Sequence, residues 1–267
     1  MKSWQGKIAV VTGGSSGLGR AIAAALIERG AQVVIAARGE EKLNATAAEL
    51  SRDQQTVLAV PTDITRQEDV DALFAKTIAR FGRLDALVNN AGRSARGEAM
   101  ATTAEEFAEL MDLNLTALVR CTRAALPHLL ESQGHLVNIG SLAGKTAARY
   151  MGAYSATKFA VSGYSQQLRL ELGPQGLHVL LVSPGPIARD GPRAYSAEKL
   201  VNLPPSARKP GGGVKVGLLR PEKLAEQILN ACEKRQLELV VPGRARLVFA
   251  IGQLWPSLGD WIVRKMS

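Results

Sequence analysis

Tyr154 and Lys158, in the run Tyr-Ser-Ala-Thr-Lys, are the residues of this chain best placed by type and spacing to move a proton. Residues four apart on a helix share a face. A free phenol has a pKa of about 10, too high for a base near neutrality. A neighbouring ammonium lowers an acid's pKa by roughly 1–3, enough to allow proton exchange with a substrate oxygen. Ser141 stands at the end of an expected strand, where its hydroxyl could bond that same oxygen. A second cluster, Thr12-Gly13-Gly14-Ser15-Ser16-Gly17-Leu18-Gly19, lies near the amino terminus. Glycines at 13, 17 and 19 let the backbone turn tightly and approach a pyrophosphate, whose charge would rest on a helix N-terminus. The spacing is G-x-x-x-G-x-G, and no Lys-Ser/Thr pair follows, which excludes a Walker loop.

The element that follows the second strand should discriminate between dinucleotides. A carboxylate at that strand end would hold the ribose hydroxyls of NAD. This chain instead has Ala37 and Arg38. Arg38 can pair bidentately with a 2′-phosphate, and Ser15 could add a hydroxyl donor. NADP(H) is therefore expected, with NAD(H) the weaker alternative.

These residues need elements to hold them. Apolar runs at 7–12, 33–37, 56–60, 84–90, 135–141 and 177–185, with a short seventh at 237–241, read as strands alternating with helical patterns. Thr65 with Glu68 predicts a capping box for a helix running toward Gly82, and Thr103 with Glu106 predicts the start of a long helix through about His128. Residues 152–172 read as another long helix carrying Tyr154 and Lys158. Strict alternation of this kind predicts an α/β fold: a doubly wound parallel sheet (Rossmann-type) of about seven strands, with helices on both faces. Its ligand sites belong at the carboxyl ends of the strands. A single domain is expected over 1–267. It includes a Pro- and Gly-rich loop at 186–220, read as a substrate lid or a disordered stretch. The segment 244–267 is amphipathic: Leu247, Ile251, Leu254, Trp255, Leu258, Trp261 and Ile262 fall near one helical face, and Pro256 must split or kink the helix. Arg244, Arg246, Arg264 and Lys265 flank it. A lid over the substrate pocket or a subunit contact is the favoured role, and a peripheral membrane contact the alternative.

Composition removes other classes. The 267 residues are 46% hydrophobic and 21% charged, as in an ordinary globular chain. No run of eighteen apolar residues and no apolar leader after Lys2 is present, so a cytoplasmic location is expected. Cys121 and Cys232 are too few for a disulfide framework, and His128, His135 and His178 lie scattered without metal-ligand spacing, so no metal is expected. The net charge is +9, six of it in residues 205–267. With only 4% aromatic residues there is little material for stacking bases, so nucleic acid is not an expected partner.

The glycine loop, Asn89-Asn90-Ala91-Gly92, Asn114, Ser141 and Tyr154-x-x-x-Lys158, in this order, together resemble the classical short-chain dehydrogenase/reductase family over residues 6–185. The resemblance implies that Tyr154 is the general acid/base, that Ser141 orients and polarises a carbonyl, and that Lys158 also holds the nicotinamide ribose. Asn114 would complete a proton relay through water to Lys158. For the cofactor it implies contacts from Gly13, Ser15, Ser16, Gly17, Leu18 and Gly19, with Asp63 and Ile64 at the adenine. Asn89, Asn90, Ala91 and Gly92 would lie along the adenosine ribose and adjoining strand, and Pro184, Gly185 and Ile187 at the nicotinamide. The chain departs from the family after Pro184-Gly185: where a threonine often bonds the carboxamide, it reads Pro186-Ile187-Ala188-Arg189. Arg189 could replace that contact in part, reach cofactor phosphates or an acidic substrate, or stand exposed on the loop. The resemblance further implies a homodimer or homotetramer and a small-molecule carbonyl/alcohol substrate. The expected function is NADP(H)-dependent interconversion of a ketone or aldehyde and a secondary alcohol, in particular reduction of a hydrophobic carbonyl. The alternatives are a dehydrogenase of a polar polyol or hydroxyacid, and a non-catalytic dinucleotide-sensing scaffold.

Overall fold

Seven short strands, each nearly all apolar, build the centre of the molecule: β1 (Ile8–Thr12), β2 (Gln32–Ala37), β3 (Val57–Pro61), β4 (Ala86–Asn89), β5 (His135–Ile139), β6 (His178–Pro184) and β7 (Glu238–Val241). In this computed structural model residues 4–51, 56–189, 195, 200–201, 203–208 and 217–266 are described. All strand pairs are parallel, in the order β3-β2-β1-β4-β5-β6-β7. The chain winds outward from β1 toward β3, then returns to place β4 on the other side. That reversal opens a crevice beyond the carboxyl ends of β1 and β4.

The strands are apolar on both sides because both are covered. Ala9 and Val11 face α1 (Gly17–Glu28), α2 (Glu40–Leu50) and α7 (Pro221–Glu233), packing with Leu18, Ile22, Leu26, Leu43, Leu224 and Ile228. Val10 turns the other way, toward α3 (Gln67–Phe81), α5 (Ala117–Glu131) and α6 (Tyr154–Leu172), among Leu73, Phe74, Cys121, Leu129 and Leu168. Each such leucine or isoleucine contributes about 1.5–3 kcal/mol by leaving water.

The seven-stranded doubly wound sheet is the architecture its alternation predicts. Two local expectations change. Thr65 does not cap the third helix: its N–H and hydroxyl both donate to Asp63 Oδ1, Arg66 occupies the cap position, and Glu68 pairs with Arg66. The helix begins at Gln67, one residue later than a Thr65 cap requires, and the threonine is turned back to donate to Asp63. The helix beginning at Thr103 has its capping box, but it is not α-helical throughout. α4 (Ala104–Met111) passes through a π turn at Asp112–Thr116 before α5 resumes. Nothing in residue type separates such a turn from regular helix.

Beyond β7 the chain forms a helical hairpin, α8 (Ala245–Leu254) and α9 (Pro256–Met266), split at Pro256 as expected. Of the 186–220 loop, residues 190–194, 196–199, 202 and 209–216 lie outside the described residues. Its ends are tied together, Leu219 N–H donating to Pro186 O and Ala188 N–H to Leu219 O. Among the described residues no helix is long and apolar enough to cross a membrane.

At the opposite end of the sheet from the crevice, the first residues of β5 and β6 stack two imidazoles edge to face, 5.0 Å apart. His178 Nε2 donates to Gln236 O, so its Nδ1 is left to accept from His135 Nδ1–H at 2.8 Å. Cys232 brings its sulfur within 4.8 Å of ligand atoms of both histidines, a convergence that the scattered sequence positions do not suggest. The two Nδ1 atoms are bonded to each other and His178 Nε2 to Gln236 O, and burial pushes the Cys232 thiol up to about 12. The same burial pushes His135 down to about 4 and lowers His178. Below pH 6.5 the unfolded chain takes up protons that the folded pair refuses. Stability from His135 is thus fully present above 6.5 and lost progressively as pH falls toward 4, by up to about 3 kcal/mol. Denaturant unfolding from pH 8 to 4 should show this loss, and the His135 Cε1 proton should titrate well below 6 by NMR. A midpoint near 6.5 would contradict the buried, mutually bonded pair.

Candidate active site

The glycine loop turns between β1 and α1 with its backbone packed against the end of β4. Thr12 Oγ1 accepts from the N–H groups of Asn90 and Ala91 at 3.0 and 3.1 Å, and Asn90 Nδ2 donates to Thr12 O at 2.9 Å. Gly19 then lies directly behind Gly13: a Cβ there would stand 2.2 Å from Gly13 O and 2.6 Å from Asn90 Nδ2. No side chain fits between the first turn of α1 and the loop, which sets how closely the helix N-terminus approaches the crevice.

A cleft of about 1080 Å³ opens there. Gly13, Ser16, Gly17 and Leu18 form its floor, and Asn90, Ala91 and Gly92 the wall from β4. Arg38 stands at the end of β2, with Asp63 and Ile64 at the end of β3. Thr65 hydrogen bonds hold the Asp63 carboxyl below its ordinary range, and Arg38 adds to the effect. Lys42, from the first turns of α2, lines the same end and was not singled out by sequence. Pro184, Gly185, Ile187 and Arg189 close the far end, Arg189 exposed. Four predicted residues do not line the cleft, Asn114 among them. Ser15 accepts from Thr46 Oγ1 through its carbonyl, Gly19 sits behind the loop, and Asn89 points beneath the sheet, donating to Thr122 Oγ1 and Asn138 Oδ1.

Ser141, Tyr154 and Lys158 open on this cleft too. Lys158 is buried, 7% exposed, and its Nζ donates to Ile139 O at 2.7 Å. Burial lowers its pKa to about 8, which leaves it a cation at pH 7. The ammonium sits 6.0 Å from the Tyr154 ring centre. Ser141 caps the 3₁₀ turn Leu142–Gly144, its Oγ accepting from Ala143 N–H at 3.1 Å. Accepting that bond leaves the hydroxyl proton for donation into the cleft. The turn itself packs on α6 at a distance only glycine permits: a Cβ at Gly144 would meet Lys158 O at 2.4 Å. Ser162 Oγ, donating within reach of both Gly144 O and Lys158 O, locks the two together. Ser141 is thereby held in register with Tyr154 and Lys158.

Asn114 lies in the π turn, buried, off the cleft wall. Its Oδ1 accepts from Arg93 N–H, and its Nδ2 donates to Arg93 O and Thr157 Oγ1, all at 3.0 Å. It ties the β4 loop to the residue preceding Lys158 and makes no direct bond to the lysine. Leu142, Ala148, Met151 and, from the hairpin, Val248, Phe249 and Val263 give the cleft apolar lining, alongside the polar side chains of Arg93, Ser94, Arg96 and Asp112. The hairpin residues, like Arg93 and Arg96, carry no motif that would have found them.

The model of the short chain dehydrogenase family matches residues 7–199, a span holding the loop, the β4 segment and the Ser-Tyr-Lys set. The chain belongs to the short-chain dehydrogenase family. It is an oxidoreductase by that membership, in a family that uses a nicotinamide dinucleotide. Uncharacterized oxidoreductase MW2403 of Staphylococcus aureus (strain MW2) is 40% identical over 226 residues, 84% of this chain and 90% of the relative. Uncharacterized oxidoreductase YxnA of Bacillus subtilis (strain 168) is 33% identical over 270 residues, all of this chain and 74% of that protein. A short-chain dehydrogenase from Streptomyces avermitilis superposes with a TM-score of 0.80 at 35% identity, covering 98% of each chain. The cleft fits a dinucleotide on its own terms: a glycine-rich cradle at a helix N-terminus where Gly19 leaves no room for a Cβ, Arg38 and Lys42 along the wall, and a volume of about 1080 Å³.

Because Gly13 O and Asn90 leave no room for a methyl group, Gly19→Ala should displace the loop and weaken dinucleotide binding at least about tenfold. Fluorescence titration with the reduced dinucleotide measures this, and an unchanged affinity would mean the loop does not form the cradle.

Proposed function

We propose that this protein is an NADP(H)-dependent carbonyl reductase acting on a hydrophobic ketone or aldehyde, within one catalytic domain, cytoplasmic and a homodimer or homotetramer. One observation carries the reading: the Tyr154–Lys158 pair and Ser141 share a cleft with the glycine cradle, with the lysine ammonium buried beside the phenol. The glycine cradle, Arg38 and Lys158 would hold a reduced nicotinamide dinucleotide, which would supply hydride for the carbonyl carbon. Ser141 hydrogen-bonds the carbonyl oxygen through its hydroxyl and orients it, and Tyr154 delivers the one proton that completes the alcohol. Lys158 stabilises the phenolate left behind and holds the cofactor ribose. Asn114 acts as a positioning residue for this group. Its side-chain amide is committed to Arg93 and Thr157, so a relay water would have to be held by its main chain.

Arg38 and Lys42 support the choice of NADP(H). Both are cations on the cleft wall where the 2′-phosphate would lie, and the end of β2 bears no carboxylate. The apolar lining from Met151, Leu142, Val248, Phe249 and Val263 supports a hydrophobic substrate over a polyol.

Tyr154→Phe should lower kcat at least about 100-fold while NADPH affinity stays within about threefold, as read by a panel of ketones followed at the NADPH absorbance with a parallel binding titration. Retained turnover would remove Tyr154 as the acid. A charge-assisted bond contributes about 1.5–3 kcal/mol, so Arg38→Asp should shift the NADPH/NADH preference in kcat/KM roughly 10- to 100-fold toward NADH. A constant ratio would remove the phosphate clamp.

A further inference from the structure

The hairpin has two faces with different surroundings. Val248, Phe249 and Val263 turn inward and line the cleft, with Arg244 at its rim. The helices cross at Gly252 and Gly259, where a Cβ on Gly259 would stand 2.5 Å from Gly252 Cα, so α8 and α9 sit backbone against backbone. The other face is bare. Leu247 is 67% exposed, Leu254 69%, Trp255 60%, Leu258 44% and Trp261 54%. Leu247 and Leu254, seven apart, share one side of α8, and Leu258 and Trp261, three apart, share one side of α9. Five of the eleven exposed large apolar side chains among the described residues fall in these fifteen positions, a concentrated patch rather than scatter.

We propose that this outer face seats the protein on an anionic lipid bilayer, with the tryptophans at the headgroup level and the leucines beneath. Charge decides between a bilayer and a second copy of the chain. Arg244 and Arg246 stand exposed at the start of the hairpin, and Arg264 and Lys265 at its end, against a single acidic residue, Asp260. Lys265 Nζ lies 5.9 Å from the Trp261 ring centre, so a cation accompanies the apolar group. A two-fold pairing would set this face against itself and bring like charges together. Anionic headgroups neutralise the same cations, and tryptophan with flanking basic residues is the composition that lies in a membrane interface. The excess positive charge of residues 205–267 points the same way. The docking stands on the surface alone. Its consequence rests on the proposed reductase reading: the inner face of the same helices walls the cleft, so a lipid-dissolved carbonyl compound would enter from the membrane side.

The full-length protein is sedimented with vesicles of phosphatidylcholine alone or of equimolar phosphatidylcholine and phosphatidylglycerol, at low and high salt. Partitioning should rise at least about tenfold with phosphatidylglycerol and fall with salt. Brominated lipid should quench the fluorescence of Trp255 and Trp261, the buried Trp4 staying unquenched. Leu258→Ser with Trp261→Ser, and separately Arg264→Gln with Lys265→Gln, should each lower partitioning at least about tenfold without changing NADPH affinity or turnover of a water-soluble ketone. Equal partitioning to both vesicle types, or no loss in either double variant, overturns the proposal. So does a wild-type dimer in sedimentation velocity that the Leu258/Trp261 variant splits, since the face then belongs to a second copy. Vesicle binding that persists when no carbonyl compound is turned over sinks the reductase reading and leaves the docking standing.

Discussion

A cation removed from water organises the functional end of this molecule. The Lys158 ammonium is buried, and burial alone drives its pKa down to about 8. An uncompensated charge in such a place would be expelled or neutralised. It stays because Ile139 is the last residue of β5, so its carbonyl is available to accept at 2.7 Å. The remaining donor capacity faces the cleft, beside the Tyr154 ring. Sheet, helix and 3₁₀ turn all meet at this lysine: β5 supplies the acceptor, α6 the side chain, and the turn bearing Ser141 presses on the lysine's own carbonyl through Gly144. A change in any of the three moves the other two.

The parallel sheet accounts for where this happens. With β1 at the centre and the chain reversing to β4, the carboxyl ends of neighbouring strands diverge and leave a crevice that no crossover helix covers. The glycine loop, Arg38, Asp63, the Asn90–Gly92 segment, Ser141 and the Pro184–Arg189 segment reach the cleft from strand ends, and α6 adds Tyr154 and Lys158. The opposite end of the sheet is closed by polar contacts. Asp85 accepts there from Lys7, Ile8 N–H and Arg83, and the two histidines bond each other. Such groups hold strand ends in register and have no opening to a ligand.

Much of the fold could be read in advance because its signals are local. Apolar runs of five to nine residues between amphipathic stretches admit few solutions, and all seven expected strands are present within a residue or two at each end. The glycine loop was legible for the same reason: three glycines at fixed spacing between a strand and a helix leave one geometry. Thr65 misled because the helix begins at Gln67, one residue later than a cap there requires, and the threonine is turned back to donate to Asp63. The π turn at Asn114 was invisible because one extra residue per turn leaves no trace in composition. The grouping of His135, His178 and Cys232 depends on pairing β5 with β6 under α7, which spacing along the chain cannot convey.

The sequence by itself determined what kinds of groups are available and, through strand-helix alternation, that they stand at strand ends: a phosphate-sized cradle, a phenol with a cation one turn on, a hydroxyl, an arginine after β2. Those follow from torsional and periodic preferences acting over a few residues. Only the tertiary structure decided which of them touch. It placed Asn114 against Arg93 and Thr157 rather than against the lysine, and folded the last helices back so that one side walls the cleft and the other faces outward. Contacts between residues a hundred positions apart are set by packing of whole elements, and amphipathicity states that a face will be covered without stating by what.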